Sequence, residues 1–148
     1  MITIAGFEKT FEYIDMFWEG LICTVMLSAL TVVFGFVLAL VLALMRLSNV
    51  QPLAFLKPKG KDHGLLNAVS KFNPIRFIAS VYVEVFRATP LLVQLFIVYY
   101  VLLKDLSLPY IKLFGFIRFE RMVPGVIALS LNSGAYLSEI IRSGIQSV

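Results

Sequence analysis

The feature that most constrains this chain is a run without charged residues from Gly20 to Met45. A transmembrane helix needs about 20 predominantly apolar residues, at a rise of about 1.5 Å per residue. The run is therefore long enough to cross a bilayer with some tilt, and Arg46 ends it. We predict a first transmembrane helix over residues 20–45.

The composition of the whole chain also indicates an integral membrane protein. Hydrophobic residues make up 59% of the 148 residues, charged residues make up 15%, and the mean hydropathy is +0.90. Soluble domains carry about 25% charged residues, so this chain has too few to cover a soluble surface. The net charge of +4 does not indicate nucleic-acid binding, because the basic residues lie in short segments between apolar runs. The predicted fold class is all-α and membrane-embedded.

Residues 1–19 show a helical repeat ahead of the first span. Apolar and acidic side chains recur at the same spacing, one position apart, which gives a helix one apolar and one acidic face. The apolar set is Phe7, Phe11, Ile14 and Trp18, and the acidic set is Glu8, Glu12, Asp15 and Glu19. We predict a short amphipathic helix at the membrane surface. Packing of this helix on the rest of the protein fits the pattern equally well.

Two later apolar segments predict two more transmembrane helices. Residues 77–103 are interrupted by Glu84, Arg87 and Pro90. A helix bundle can accommodate such an interruption, so we predict one long second span. Pro90 lacks a backbone N–H and is expected to kink that helix. Residues 122–142 form the third predicted span, which completes a fold of three transmembrane helices preceded by the amphipathic helix.

The polar connections predict how the chain is oriented. Residues 46–76 contain six basic residues and one acidic residue, whereas the segment before the first span is acidic. Positively charged loops stay on the cytoplasmic side of a membrane. We therefore predict a multi-pass protein of the cell (inner) membrane with its N-terminus outside, a basic cytoplasmic loop at 46–76, and an external loop at 104–121. Residues 143–148 then lie on the cytoplasmic side.

Polar side chains inside the second and third spans are the candidates for function, because ionisable groups within a bilayer commonly mark a transport path. The six candidates are Glu84, Arg87 and Gln94 on the second span, and Asn132, Tyr136 and Glu139 on the third. Each set falls on one helix face. At 1.5 Å per residue, Arg87 and Asn132 each lie about 15–16 Å from the inner helix ends, so the two faces are expected to meet at one level.

Structural interpretations of the same residues stay open. Asn132 and Ser133 are also suited to hydrogen bonds that hold helices together. Glu84 and Arg87, one helical turn apart, could form a purely structural ion pair. Small residues that allow close helix packing are Thr24, Ser28 and Gly35 on the first span, and Ser133 and Gly134 on the third.

Motifs for catalysis are absent from the sequence. It has no GxxxxGK[ST] phosphate-binding loop, and no nucleophile triad or paired-carboxylate site is suggested. Cys23 and His63, the single residues of their types, have no second ligand at metal-binding spacing. We predict no catalytic residue, no metal and no cofactor in this chain, which should not hydrolyse ATP itself.

Two stretches of the sequence resemble one protein family. Residues 82–95, YVEVFRATPLLVQL, resemble the second-span motif of amino-acid ABC permeases of the histidine, glutamine and arginine type. Residues 128–148, ALSLNSGAYLSEIIRSGIQSV, resemble that family's third span where it leads to the cytoplasmic coupling loop. The start of the first span, Gly20 with Thr24 and Ser28, is similar too. Ala88 departs from the pattern, since glycine is common there.

This resemblance implies the membrane-spanning permease subunit of an ATP-driven importer of polar L-amino acids. It implies three partners: a cytoplasmic subunit that binds the ATP, a second permease subunit that is identical or paralogous, and an extracellular or periplasmic amino-acid-binding protein. The family's motifs line or support the translocation path, which points to the six candidates. Residues 143–148 would begin the coupling segment, which in the family is followed by two more spans. The chain is therefore expected to be an N-terminal portion, and its long basic loop is a further departure.

A second class of function stays open on the sequence. Three helices without a coupling segment are compatible with a small non-transporting membrane protein that assists assembly or regulation. A membrane enzyme ranks below both, because no catalytic constellation is present.

Overall fold

In the computed structural model, the described residues are 13–48, 73–106, 109–113 and 115–147. They form α1 (Ile14–Leu47), α2 (Pro74–Ala88), α3 (Leu91–Ile97), a π-helical segment (Val98–Leu102) and α4 (Phe119–Gln146). Two short strands, β1 (Lys112–Leu113) and β2 (Ile117–Arg118), pair antiparallel ahead of α4. The predominantly helical fold is confirmed. Residues 1–12 of the predicted amphipathic helix and residues 49–72 of the basic loop lie outside the described residues.

The first predicted span and the end of the amphipathic segment form one continuous helix. α1 starts at Ile14, six residues before the predicted boundary, and runs without a break through Gly20. No proline lies between these positions, so nothing interrupts the backbone hydrogen bonds. The helix ends at Leu47, where Ser48 takes an extended conformation. Among the described helices, α1 alone is long and apolar enough on its own to cross a membrane.

The second predicted span is broken at Pro90 instead of kinked. α2 ends at Ala88, and the segment Leu91–Leu102 leaves it at a bend of 109°. Thr89 is extended there, with φ −103° and ψ 139°, because the ring of the following proline disfavours helical backbone at the preceding residue. The prediction of one long helix over 77–103 is therefore corrected to two helical pieces. Together they meet the length and apolarity that a membrane span requires.

α4 is longer than the third predicted span. It begins at Phe119, just after a turn in which Gly115 has a φ of +82°, and it continues to Gln146. Small and polar residues along this helix lower its hydropathy, and α4 does not reach the apolarity that identifies α1 as a span. A crossing of the membrane by α4, and with it the total of three spans, stays a prediction.

α1 and α4 pack along each other and make the most extensive contact between described elements. A small core of Leu42, Ala79 and Val83 joins α1 to α2. The large apolar side chains on the opposite side of α1 remain exposed, among them Val33 and Val37. Exposed side chains of this kind suit a helix whose outer face contacts lipid.

Asn73 ties the end of α1 to the start of α2. Its side-chain oxygen accepts a hydrogen bond from the Arg76 backbone N–H at 3.1 Å and so caps α2, with Pro74 in the first turn. Its side-chain nitrogen donates to the Ser48 carbonyl at 2.7 Å, at the C-terminal end of α1. One side chain therefore satisfies groups at two helix ends.

We expect Asn73→Ala to destabilise the protein by about 1 kcal/mol, because the replacement removes the cap of α2. Asn73→Asp keeps the capping oxygen but removes the donor to the Ser48 carbonyl, so its loss should be smaller. The comparison is made by thermal unfolding of the purified full-length protein in detergent. Equal stability of Asn73→Ala and the wild type would show that this cap contributes nothing.

Candidate functional site

An ionic cluster joins three helices at the ends of α1 and α4. The carboxylate of Glu139 on α4 accepts a hydrogen bond from the Arg46 guanidinium at the end of α1. Arg87 on α2 places Nη1 3.8 Å from the same carboxylate oxygen, Oε2. Arg142, one turn along α4, places Nε 3.8 Å from the other oxygen, Oε1. We call Arg46, Arg87, Glu139 and Arg142 the ionic cluster.

The ionic cluster is asymmetric in charge and in burial. One carboxylate faces three guanidinium groups, which leaves an excess of positive charge. The Arg46 side chain is only 9% exposed, whereas Arg87 is 39% and Glu139 is 31% exposed. A buried charge must be paired, so Arg46 depends on Glu139 more than the other two arginines do. Arg87 and Glu139 keep surface that a further polar group can approach.

Tyr136 extends the ionic cluster along α4. The Arg87 guanidinium lies over the Tyr136 ring, 5.6 Å from its centre, which is within the range of a cation–π contact. The Tyr136 side chain is about half-exposed. α4 therefore presents Tyr136 and Glu139, two of its three predicted candidates, to Arg87 of α2.

Glu84 does not belong to the ionic cluster. It is exposed, and among the described residues no contact within 4.0 Å joins its carboxylate to Arg87. Arg87 contacts Glu139 instead, so the structural ion pair between Glu84 and Arg87 that the sequence left open is not formed. In the sequence, Arg46 marks only the end of the first predicted span. Two features of the sequence could have indicated that Arg46 pairs with α4. It directly follows a charge-free run, and it lies at the same predicted membrane level as Arg142.

Gln94 and Asn132 meet at the break between α2 and α3. Gln94 Nε2 donates to the carbonyl oxygens of Phe86, at 2.8 Å, and Thr89, at 3.0 Å, and to Thr89 Oγ1 at 2.7 Å. Asn132 Nδ2 of α4 donates to Gln94 Oε1 at 3.0 Å and lies 3.5 Å from the Phe86 carbonyl oxygen. We call Gln94, Asn132, Thr89 and the Phe86 carbonyl the clasp. Thr89 was not among the sequence candidates, although it directly precedes the proline.

The predicted packing residues fall into two groups. Gly35 of α1 lies against Ser133, whose Cβ would be 3.4 Å from a Cβ added at Gly35. A Cβ added at Gly134 would lie 2.8 Å from Cδ2 of Leu38, so the two helices approach closely there. Thr24 and Ser28, in contrast, are exposed in this chain.

An open groove of about 370 Å³ runs beside this close contact. Its polar lining comes from Asn132, Ser133 and Tyr136 of α4 and from Thr31 of α1. Thr31 is 8% exposed, and its hydroxyl oxygen has no hydrogen-bond partner within the part of the chain described. The polar face of α4 therefore borders the groove as well as the ionic cluster.

The chain is similar to permease proteins of amino-acid transport systems. It is 36% identical over 145 residues to a Rickettsia conorii permease protein whose name assigns it provisionally to glutamine transport; the match covers 93% of this chain and 52% of that protein. It is 35% identical over 142 residues to the arginine transport system permease protein of Bacillus subtilis, covering 96% and 51% of the two chains. With the L-cystine transport system permease protein of Bacillus subtilis, it shares 38% identity over 136 residues, covering 89% and 44%.

A solved structure gives the same relationship in three dimensions. The crystal structure of an amino acid ABC transporter with histidines matches this fold with a TM-score of 0.67 and 36% sequence identity, covering 96% of this chain and 51% of that one. No protein-family model matches the chain. The chain spans about half the length of the curated relatives it matches.

Proposed function

We propose, from the premise that this chain belongs to the family of amino-acid ABC transport permeases, that it forms part of the translocation path of an ATP-driven importer of polar L-amino acids. The observation that carries this proposal is the ionic cluster, which gathers charged side chains from three helices within otherwise apolar segments. Such groups are costly in a membrane unless they face protein or water. The relatives named for glutamine, arginine and cystine transport support the same class of substrate.

The partly exposed side chains supply the polar surface of this path. A free amino acid carries a carboxylate and an ammonium group, and Arg87 and Glu139 offer charges of both signs next to the Tyr136 ring. In this proposal Gln94 and Asn132 support the path through the clasp. Glu84 remains a path candidate as an ionisable group of the second predicted span and through the family resemblance, although its exposed side chain has no ionic contact with the cluster among the described residues.

The proposed partners follow from the family. A separate cytoplasmic subunit binds and hydrolyses ATP, a second permease subunit completes the membrane part, and an external binding protein delivers the amino acid. The chain itself acts as a permease and not as an enzyme.

The test is uptake by the complete transporter reconstituted in liposomes with ATP inside and the binding protein outside. We expect ATP-dependent uptake of at least one polar L-amino acid, competed by other polar amino acids and not by leucine. Arg87→Ala should lower that uptake by about tenfold or more while the protein still inserts and assembles. Normal uptake by this variant would remove Arg87 from the path, and uptake without ATP would exclude the importer proposal.

The proposed orientation has a separate test at Lys59, in the basic loop outside the described residues. Because that loop is predicted to be cytoplasmic, we expect a cysteine in Lys59→Cys to resist a membrane-impermeant thiol reagent in intact cells and to react after the membrane is opened. Cys23 is replaced by serine in the same background to remove its thiol. Rapid labelling in intact cells would mean that the orientation is inverted.

A further inference from the structure

The break at Pro90 creates a specific unsatisfied group. In an uninterrupted helix, the backbone N–H of residue 90 would donate to the carbonyl of residue 86, four positions earlier. Proline has no N–H, so the Phe86 carbonyl loses its helical donor. A carbonyl without a donor is costly away from water, and within a membrane it must be satisfied by other protein groups.

Gln94 supplies the missing donor. It lies four residues after Pro90, in the first turn of α3, and its Nε2 reaches back to the Phe86 carbonyl at 2.8 Å. The same nitrogen contacts Thr89 Oγ1 at 2.7 Å, and that hydroxyl in turn donates to the Val85 carbonyl at 2.8 Å. The amide thus bridges the end of α2 and the start of α3, which fixes the two pieces relative to each other.

Asn132 connects this bridge to α4. Its Nδ2 donates to Gln94 Oε1 at 3.0 Å, which orients the Gln94 amide so that Nε2 faces the break. Gln94 is only 6% exposed, and both ends of its amide are already used. The Gln94 side chain therefore has little capacity left for a transported molecule.

We propose that Gln94 and Asn132 are positioning residues that lock the angle of the broken second segment and attach it to α4. The side chain of Gln94 replaces the donor that Pro90 lacks, and Asn132 holds it in place from the neighbouring helix. α2, α3 and α4 then move as one unit. The consequence for transport rests on the proposed function, whereas the lock itself does not.

The lock is tested by distance measurements in the complete transporter. Spin labels are attached to cysteines at the exposed positions Ile78 of α2 and Val101 of the π-helical segment, with Cys23 replaced by serine and labelled chains diluted with unlabelled ones. For a bend of 109°, the two backbone positions are about 19 Å apart, against about 35 Å in a straight helix. A decrease of about 20° in the bend would lengthen this distance by about 5 Å.

We expect one narrow distance in the wild type and a shifted or clearly broader distribution in Gln94→Leu and in Asn132→Leu. Ser130→Ala is the matched control, because Ser130 lies on α4 near Asn132 and its buried hydroxyl has no partner among the described residues. Its distribution should equal that of the wild type. Unchanged distributions in both leucine variants would overturn the lock.

A second variant tests whether Gln94 is needed because Pro90 lacks a backbone N–H. Pro90→Ala restores a backbone N–H that can donate to the Phe86 carbonyl, so the double variant Pro90→Ala/Gln94→Leu should again give a narrow distribution. A distribution as broad as that of Gln94→Leu alone would contradict the role of Gln94 as the replacement donor.

Transport kinetics separate positioning from substrate contact. In Asn132→Leu we expect the maximal uptake rate to fall while the KM for the amino acid stays within about twofold of the wild type. A rise in KM of about tenfold or more, with unchanged distances, would instead identify Asn132 as a substrate contact. If the complete transporter shows no uptake at all, the proposed function fails, while the distance measurements still decide the lock.

Discussion

Glu139→Gln is expected to lower uptake by the complete transporter by about tenfold or more and to destabilise it by about 2–3 kcal/mol. Glutamine keeps the size of the side chain and an oxygen that can accept a hydrogen bond from Arg46. The variant therefore removes the charge and turns one of the two acceptor oxygens into an NH2 donor, without a change in size. The measurements are ATP-dependent uptake in liposomes and thermal unfolding of the purified transporter.

The reason for the large effect is the burial of Arg46. Its side chain is only 9% exposed, so water cannot solvate the guanidinium charge when Glu139 is replaced by a neutral side chain. Removal of one partner from a buried ion pair costs about 3–5 kcal/mol. Because Glu139 is 31% exposed, we expect the loss of stability to lie at or below the lower end of that range. Arg87 and Arg142 add repulsion once the carboxylate charge is gone.

Glu120→Gln is the matched control on the same helix. Glu120 contacts Arg118 at the opposite end of α4, where the Arg118 side chain is 37% exposed. A partly exposed pair contributes about 0–1 kcal/mol, so this variant should remain close to the wild type in stability. An equal loss in both variants would show that the ionic cluster has no special role.

A double replacement distinguishes stability from transport. Arg46→Met/Glu139→Leu exchanges the buried pair for apolar side chains of similar size, which is often neutral or stabilising. We expect most of the stability to return while uptake stays low, because the carboxylate that faces the proposed path is absent. Recovery of uptake together with stability would mean that the ionic cluster is purely structural.

The elements that the sequence predicted are those set by local patterns. The charge-free run after Gly20 predicted α1, because every residue in it suits an apolar environment whatever its neighbours are. The 3.6-residue repeat placed Asn132, Tyr136 and Glu139 on one face of α4, and the structure brings that face to α2 and to the clasp. Periodicity is a property of a single helix and is therefore visible in a single sequence.

The features that the sequence missed depend on contacts between distant segments. Spacing on one helix suggested that Arg87 pairs with Glu84, but the carboxylate it approaches belongs to Glu139 of another helix. Pro90 predicted the loss of one backbone hydrogen bond in the second span. The size of the bend between α2 and α3 also reflects the hydrogen bonds that Gln94 and Asn132 make across the break. Neither partnership is encoded in a local spacing, since each joins positions more than 30 residues apart.

The close approach of α1 and α4 gives the second large expected effect. Gly134→Ala should destabilise the protein by about 1–3 kcal/mol, because an added methyl group overfills a packed contact. The new Cβ would lie 2.8 Å from Cδ2, 3.0 Å from Cγ and 3.3 Å from Cβ of Leu38. Rotation of the Leu38 side chain about χ1 and χ2 can move Cγ and Cδ2 away but leaves Cβ in place, so the helices themselves would have to separate slightly.

Gly144→Ala is the control for the general effect of replacing glycine in a helix. A Cβ at Gly144 meets no atom within 4 Å, so this variant should be neutral or more stable by up to about 1 kcal/mol from helix propensity alone. Both variants are compared by thermal unfolding of the purified transporter. If Gly134→Ala is as stable as Gly144→Ala, α1 and α4 do not approach each other as described.

Leu38→Ala provides the rescue for the same contact. On its own it removes apolar packing between α1 and its neighbours and should lower stability. In combination with Gly134→Ala, it removes Cγ and Cδ2, the two atoms of Leu38 nearest to the new methyl group, and leaves only the 3.3 Å contact with Cβ. The double variant should therefore lose less stability than the sum of the two single variants. Simple additivity would show that Gly134 and Leu38 do not share a contact, because only side chains that touch produce a coupling energy of this sign.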